Sequence, residues 1–357
     1  MKRSVLTIAA LSAALFSITM IVMAQSNPVP GGDGNKYVPY EERTGNESIV
    51  YFTRDLSAEG LIKAYEQVCG NIEGRTAVKL HTGEQNGPNI IPSDWVKALF
   101  QKDLPDATIV ETNTYYVGDR YTTEQHRKTL EVNGWTFCPV DIMDEEDTLT
   151  LPVCGGKWFD RMSMGSHIAD YNSLVVLTHF KGHSQGGFGG SNKNIGIGCA
   201  DGRIGKAWIH TTPGQDNQWN IAKEEFMERM TESSKAVVDY FGKRITYVNV
   251  MRNMSVSCDC EGLNAEPVVT PNVGILSSTD ILALDQACVD LVYAMTEAEH
   301  HDLVERIETR HGLRQLSYMK ELGMGNDRYV LIDLDNGGKR ITPAEAVKGL
   351  KPFVREQ

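Results

Sequence analysis

The sequence predicts an α/β protein: a largely parallel sheet flanked by helices. Two observations carry the prediction. Short apolar runs take turns with amphipathic stretches from Ile49 to Leu334, the alternation that builds β-α-β units. One of those runs, Leu174 to Leu177, is apolar at every position, as in a strand buried on both faces of a parallel sheet.

The elements follow in order. Ile49 to Phe52 reads as a strand, and a helix follows from about Ser57 to Cys69, with Leu61, Ile62, Tyr65 and Val68 at helical spacing. Ala77 to Leu80 is the second strand. Pro92-Ser93-Asp94 has the chemistry of a helix start. Thr108 to Val110 is the third strand, and Thr122 to Val132 a helix with Thr123 as its expected cap. Beyond the apolar strand come a long helix from Ile221 to Phe241, strands at Ile245 to Val250 and Val273 to Leu276, and a helix capped by Asp280. Tyr329 to Leu334 closes the set. Such an order implies right-handed crossovers.

Composition bounds the function. Of 357 residues 41% are apolar and 23% charged, which excludes a disordered chain or a multispanning membrane protein. With 35 Lys and Arg against 47 Asp and Glu, the formal charge is −12 and no basic run offsets it, so nucleic acid is not an expected partner.

Lys2 and Arg3 precede an uncharged run from Val5 to Met23 that ends at Ala24, the layout of a secretory signal peptide. An uncleaved anchor needs a run of similar length, so an N-terminal anchor is the alternative. The expected organisation is a signal peptide at 1–24, a flexible leader at 25–46, an α/β body of one or two lobes at 47–340, and a tail at 341–357. The mature chain then lies outside the cytoplasm with no further membrane span.

Ligands of open parallel sheets sit beyond the carboxyl ends of the strands. Four strand ends deliver chemistry here: His81 after the second, Asn113 after the third, His179-Phe180-Lys181-Gly182-His183 after the apolar strand, and Cys258-Asp259-Cys260 after the strand near 245–250. Residues 179–202, HFKGHSQGGFGGSNKNIGIGCADG, hold eight glycines and match no nucleotide-binding motif. Glycine admits close approach of backbone N–H groups, so Gly186, Gly187, Gly189, Gly190, Lys193 and Asn194 are the expected cradle for an anionic group. Lys181 is expected to be solvated. His183 and the later His210 can converge through this loop. The bland reading, hydrogen-bonded structural imidazoles in a tight turn network, stands beside the functional one.

Seven cysteines leave at least one unpaired. Cys258 and Cys260 read either as a thiolate pair for a soft metal or as one disulfide partner and a bystander. Cys138 and Cys154 are the first candidates for a disulfide, Cys69 and Cys288 are expected to pack in the interior, and Cys199 can face the site.

The strings HFKGH, GFGG, K-N and G-x-G-Cys-Ala, with VKLHTGE at 78–84, Cys-Asp-Cys at 258–260 and GILSSTDILALDQACVDL at 274–291, resemble the family known as domain of unknown function 362, the uncharacterised iron–sulfur-centre family. That resemblance covers about residues 50–295 and implies an α/β fold with a redox or metal context. Many members carry a ferredoxin-like C-x2-C-x2-C-x3-C segment. This chain has no C-x2-C, so a ferredoxin-type cluster of its own is not expected. The order His183, Lys193, His210 is also similar to lactate racemase and its relatives, which use a nickel-pincer nucleotide. That likeness implies Lys193 on the cofactor, His210 on the metal and His183 in proton transfer.

The expectation is therefore an exported metal- or metallocofactor-dependent enzyme of redox or isomerase type, acting at His183 and Lys193. His183, His210, Cys258 and Cys260 are its metal candidates, with His179 and His81 as further ones. A small anionic ligand and a separate redox partner protein are the expected associates. The alternative is a non-catalytic binding protein for an anionic solute. Mass spectrometry of the protein recovered from an exporting host should give Gln25 as the first residue; a chain that retains Met1 in the membrane fraction selects the anchor.

Overall fold

A computed structural model of the chain describes residues 34–212, 219 and 221–355; the expected signal peptide lies outside them. The strands are β1 (Glu47–Thr53), β2 (Thr76–Lys79), β3 (Thr108–Glu111), β4 (Val140–Ile142), β5 (Thr148–Pro152), β6 (Arg161–Gly165) and β7 (Ser173–His179). After these come β8 (Lys181–His183), β9 (Gly187–Gly189), β10 (Ile245–Met251), β11 (Gly274–Ser278), β12 (Arg328–Asp333) and β13 (Lys339–Ile341). The helices are α1 (Ala58–Glu66), α2 (Ser93–Asp103), α3 (Thr123–Val132), α4 (Ser191–Gly198) and α5 (Gly205–His210). They continue with α6 (Lys223–Phe241), α7 (Ile281–Tyr293), α8 (Glu297–Thr309), α9 (Arg314–Glu321) and α10 (Pro343–Val347).

Nine strands form one sheet in the order β13-β12-β1-β11-β10-β7-β2-β3-β4, and β5-β6 and β8-β9 are separate hairpins. The five strands from β10 to β4 pair in parallel, as does β1 with β12. β11 runs against both of its neighbours and β13 against β12. The sheet is thus the expected mostly parallel one with two reversed strands. Nothing in Val273 to Leu276 signals a reversal, because a strand buried on both faces is apolar in either direction.

Alternate residues of one strand feed two cores. Leu174 and Val176 of β7 join one apolar cluster with Phe226, Met230 and Leu282, while Val175 and Leu177 join another with Leu61, Val96, Leu99 and Leu130. The unbroken apolar run is the sequence mark of this two-faced burial, and each such side chain contributes about 1.5–3 kcal/mol. Helix starts are fixed locally: Ser57 accepts from the Gly60 amide, and Asp280 from that of Ala283. Thr122, one residue ahead of the expected Thr123, forms a capping box with Gln125.

The expected leader packs from Gly34 onward. Tyr37 stacks on Tyr293 with ring centroids 3.9 Å apart, and Arg43 reaches the buried Asp290 carboxylate at 2.5 and 2.6 Å. At the other end, Ala346 and Val347 of the expected tail are buried in the core. The cysteines need correction too. All seven are free thiols, so Cys138 and Cys154 are not bridged. Cys288 is buried as expected, whereas Cys69 is only partly buried in a short 3-10 turn.

Chain order around β2 positions the site. The chain moves outward through β2, β3 and β4, returns to β7 on the other side of β2, and continues to β10. Loops leaving β2 and β7 therefore part company and open a crevice at their carboxyl ends. Removing one partner of a fully buried ion pair strands the other charge, so Arg43→Ala should lower unfolding free energy by about 3 kcal/mol or more. Urea denaturation reads this directly; a loss near zero would mean that the N-terminal clasp is decorative.

Candidate functional site

A cavity of about 600 Å³ opens at that crevice. β2 contributes Lys79 and, just beyond it, His81; β3 contributes Glu111; the hairpin after β7 contributes His183; α4 contributes Lys193 and Asn194; α5 contributes Lys206 and His210. Cys260, in the loop after β10, lines it, and Cys258 lies buried beside it, 3.9 Å from both Lys193 Nζ and His81 Nε2. Ligand atoms of His183, Cys258 and Cys260 all lie within 4.8 Å of one another. Atoms sharing a metal at 2.0–2.3 Å are separated by about 4.6 Å at most, so little movement is needed.

The thiols are unequal. The Cys260 thiol donates to Cys258 and, against burial, this together with Lys193 and His183 holds Cys258 well below the usual thiol range. Cys260, sharing its proton with Cys258 and buried, is pushed far up. Burial, with Lys193 next, pushes His183 down to about 4. Burial likewise takes His210 down to about 3 and Lys206 to about 8.

One expected ligand, His179, is engaged elsewhere, and Lys181 departs from its expected exposure. His179 commits both nitrogens, Nδ1 to the Asp259 carboxylate at 2.9 Å and Nε2 to the Arg252 carbonyl at 2.6 Å, so no lone pair is left for a metal. Lys181 is buried rather than solvated, paired with Asp259 at 2.8 Å. Burial alone would raise the Asp259 carboxyl, but His179 and Lys181 outweigh it and hold it low. Cys199 is buried in the core.

The glycine-rich segment lines the cavity through Ser184, Gln185, Lys193, Asn194 and Gly198, but not through the four glycines expected to cradle the ligand. Gly186, Gly187, Gly189 and Gly190 are not among the residues lining the cavity. The amides that open α4, Ser191 and Asn192, donate to Asp285 at 2.8 and 2.9 Å, so the carboxylate held there is the chain's own. A Cβ at Gly190 would lie 2.5 Å from that carboxylate, and one at Gly198 2.2 Å from Lys79 Cε. These glycines let α4 pack tightly and so place Lys193 and Asn194.

Several lining residues escaped sequence reasoning. Lys79 and Glu111 each close an otherwise buried strand and pair with each other at 2.9 Å. Burial would raise Glu111, but Lys79 and Arg120 hold it low. A charge ending an apolar strand was the signal available for both. Lys206 donates to Thr112 and Asn113 oxygens only. Arg310 Nε is buried without a partner. Among the described residues, Lys193, Lys206 and Arg310 have no carboxylate partner. Tyr115, Trp219 and Phe226 surround His210 with ring centroids 5.0–6.0 Å away.

The molecule is thus an α/β protein with a thiol- and cation-lined cavity at the carboxyl rim of its sheet. The profile of the family described as domain of unknown function (DUF362) matches residues 76–290, and the chain belongs to that family. It is also similar to the lactate racemase apoprotein from Thermoanaerobacterium thermosaccharolyticum, at 10% identity over 84% of this chain and 85% of that one, with TM-score 0.37. A structural-genomics protein from Thermotoga maritima is 13% identical over 54% of this chain and 49% of that one, with TM-score 0.34. No curated protein matches the chain.

Near the cavity, burial and Arg120 take His126 down to about 3. The unfolded chain binds its proton near pH 6.5, so His126 supports folding above that pH and its contribution is lost as pH falls toward 3. Between about pH 5.5 and 4, unfolding free energy of the wild type should fall by about 1.4 kcal/mol per pH unit more than that of His126→Asn. Equal slopes would contradict a neutral buried His126.

Proposed function

We propose that the mature protein is exported and works as an enzyme of redox or isomerase type, with a soft metal or metal-bearing cofactor held at Cys258 and Cys260. Its substrate is a small anion bound in the adjoining cavity. The observation that carries this reading is the convergence of two thiols and an imidazole, from distant parts of the chain, within 4.8 Å of one another beside that cavity. Thiolates select soft metals, and a Cys258 thiol held well below its usual range by Cys260, Lys193 and His183 gives up its proton to one more readily.

The anion follows from charge. In a chain of net charge −12, Lys193, Lys206 and Arg310 line one cavity without carboxylate partners among the described residues. A buried or half-buried cation without a full counter-charge is costly, and an anionic ligand offsets that cost. The aromatic side chains around His210 leave a flat-walled end suited to a planar group of the ligand or cofactor. A metal at the thiols would supply Lewis-acid or electron-transfer chemistry; Lys193 orients the anion, and His210, kept neutral by burial, supplies a cavity imidazole. With no C-x2-C run, electrons for a redox reaction come from a separate partner protein.

The three cations without a carboxylate partner among the described residues also favour a second reading, a non-catalytic binder of anionic solutes. Metal analysis of anaerobically purified protein separates the two. The enzyme reading expects about one equivalent in the wild type and less than about a tenth of that in a Cys258→Ser, Cys260→Ser double variant. Metal-free wild-type protein that phosphate or a dicarboxylate stabilises against heating would select the binder.

A further inference from the structure

Three imidazoles reach the cavity, and the backbone has already settled where each carries its proton. His81 Nδ1 accepts the Gly83 amide at 3.0 Å. His183 Nδ1 accepts two amides, from Gly186 at 2.7 Å and Gln185 at 3.2 Å. A ring nitrogen that accepts carries no proton, so in the neutral rings the proton sits on Nε2. His210 is the reverse: its Nδ1 lies 2.7 Å from the Lys206 carbonyl, which can only accept, so Nδ1 is protonated and Nε2 keeps the lone pair.

We propose that His81 and His183 are N–H donors to the Cys258 sulfur and not metal ligands, which leaves His210 as the cavity imidazole with an open lone pair. His81 Nε2 lies 3.9 Å from that sulfur, and Lys193 Nζ lies 3.9 Å from it on another element. In His183 the two amides occupy Nδ1, which leaves Nε2–H as its donor, and a ring nitrogen of His183 lies within 4.8 Å of both sulfurs. A metal-bound imidazole ordinarily donates its far N–H to a carbonyl or carboxylate. His210 has that arrangement; His81 and His183 have its inverse. Ligation by either would require losing a second ring proton or breaking the amide bonds that hold the ring.

This assignment rests on the metal reading for its consequence, though not for its geometry. Cys260 lines the cavity, so a metal held by the two sulfurs would lie beside the space proposed for the anionic ligand, as in a reactive centre and unlike a closed structural one. His81 and His183 are then positioning residues. As donors to the Cys258 sulfur they would orient it and weaken its donation to a bound metal, as hydrogen bonds to ligating thiolates do.

Two measurements test the assignment. Long-range proton–nitrogen correlation spectra of metal-free, 15N-histidine-labelled protein, assigned with single His→Gln variants, should show His81 and His183 as Nε2–H rings and His210 as Nδ1–H. An Nδ1–H pattern for His183 or His81 overturns it. The second uses cobalt(II) added to wild type, His183→Ala and Cys258→Ser. His183→Ala should keep the full intensity of the thiolate-to-cobalt band at a shifted wavelength, while Cys258→Ser loses about half or more. A His183→Ala protein that fails to bind cobalt as completely as Cys258→Ser makes His183 a ligand and refutes the proposal. If the rings show the expected protons but wild type gives no thiolate band, the metal reading falls and the donor assignment stands.

Discussion

One topological constraint underlies the site: β2 and β7 are parallel neighbours whose following segments must leave in different directions. The chain after β2 goes on to β3, and the chain after β7 goes on through α4 to β10, so no single loop can cover the gap between their ends. That gap is the cavity. The thiol pair arrives from β10, two positions along the same rim, and His81 and His183 descend from the two strands that define it. Burial of alternate β7 residues in two separate cores keeps these ends rigidly in place.

Around the gap the protein sorts its charges into two classes. Lys79, Arg120, Glu111 and Glu84 form a connected buried network in which each charge has an opposite neighbour. Asp259 does the same for His179 and Lys181, and Asp285 takes the α4 amides and the Asn249 side chain. These groups are structural: they fix the floor and the helix that presents Lys193. A buried charge without such a partner is expensive. Lys79 and Arg120 line the cavity with their carboxylates already supplied, whereas Lys193, Lys206 and Arg310 line it with none among the described residues, and that surplus of cations marks the cavity as a place for an anion.

Much of this was legible in the residues. The sheet, the main helices and the rim location followed from apolar periodicity and strand-end logic, because both depend on burial, which sequence reports directly. His81, His183, Lys193, His210, Cys258 and Cys260 all lie at or beside one cavity, as strand-end chemistry suggested. The direction of β11 was not legible, since a strand buried on both faces reads the same either way. The glycine-rich segment misled for a physical reason. Glycine marks close approach without saying of what, and here the close neighbours are Asp285 and Lys79, not a ligand. Lys181 looked solvated and His179 looked like a ligand because Asp259, eighty residues on, is invisible from their neighbourhood in sequence.

The central claim is that the Cys258 and Cys260 sulfurs bind a metal at the sheet rim. X-ray absorption at the zinc edge of zinc-loaded protein measures this most directly. Two sulfur scatterers at about 2.3 Å with lighter atoms completing the shell is the expected result. A shell of nitrogen and oxygen alone would show that the metal sits elsewhere, and that the thiols meet at the rim for another purpose.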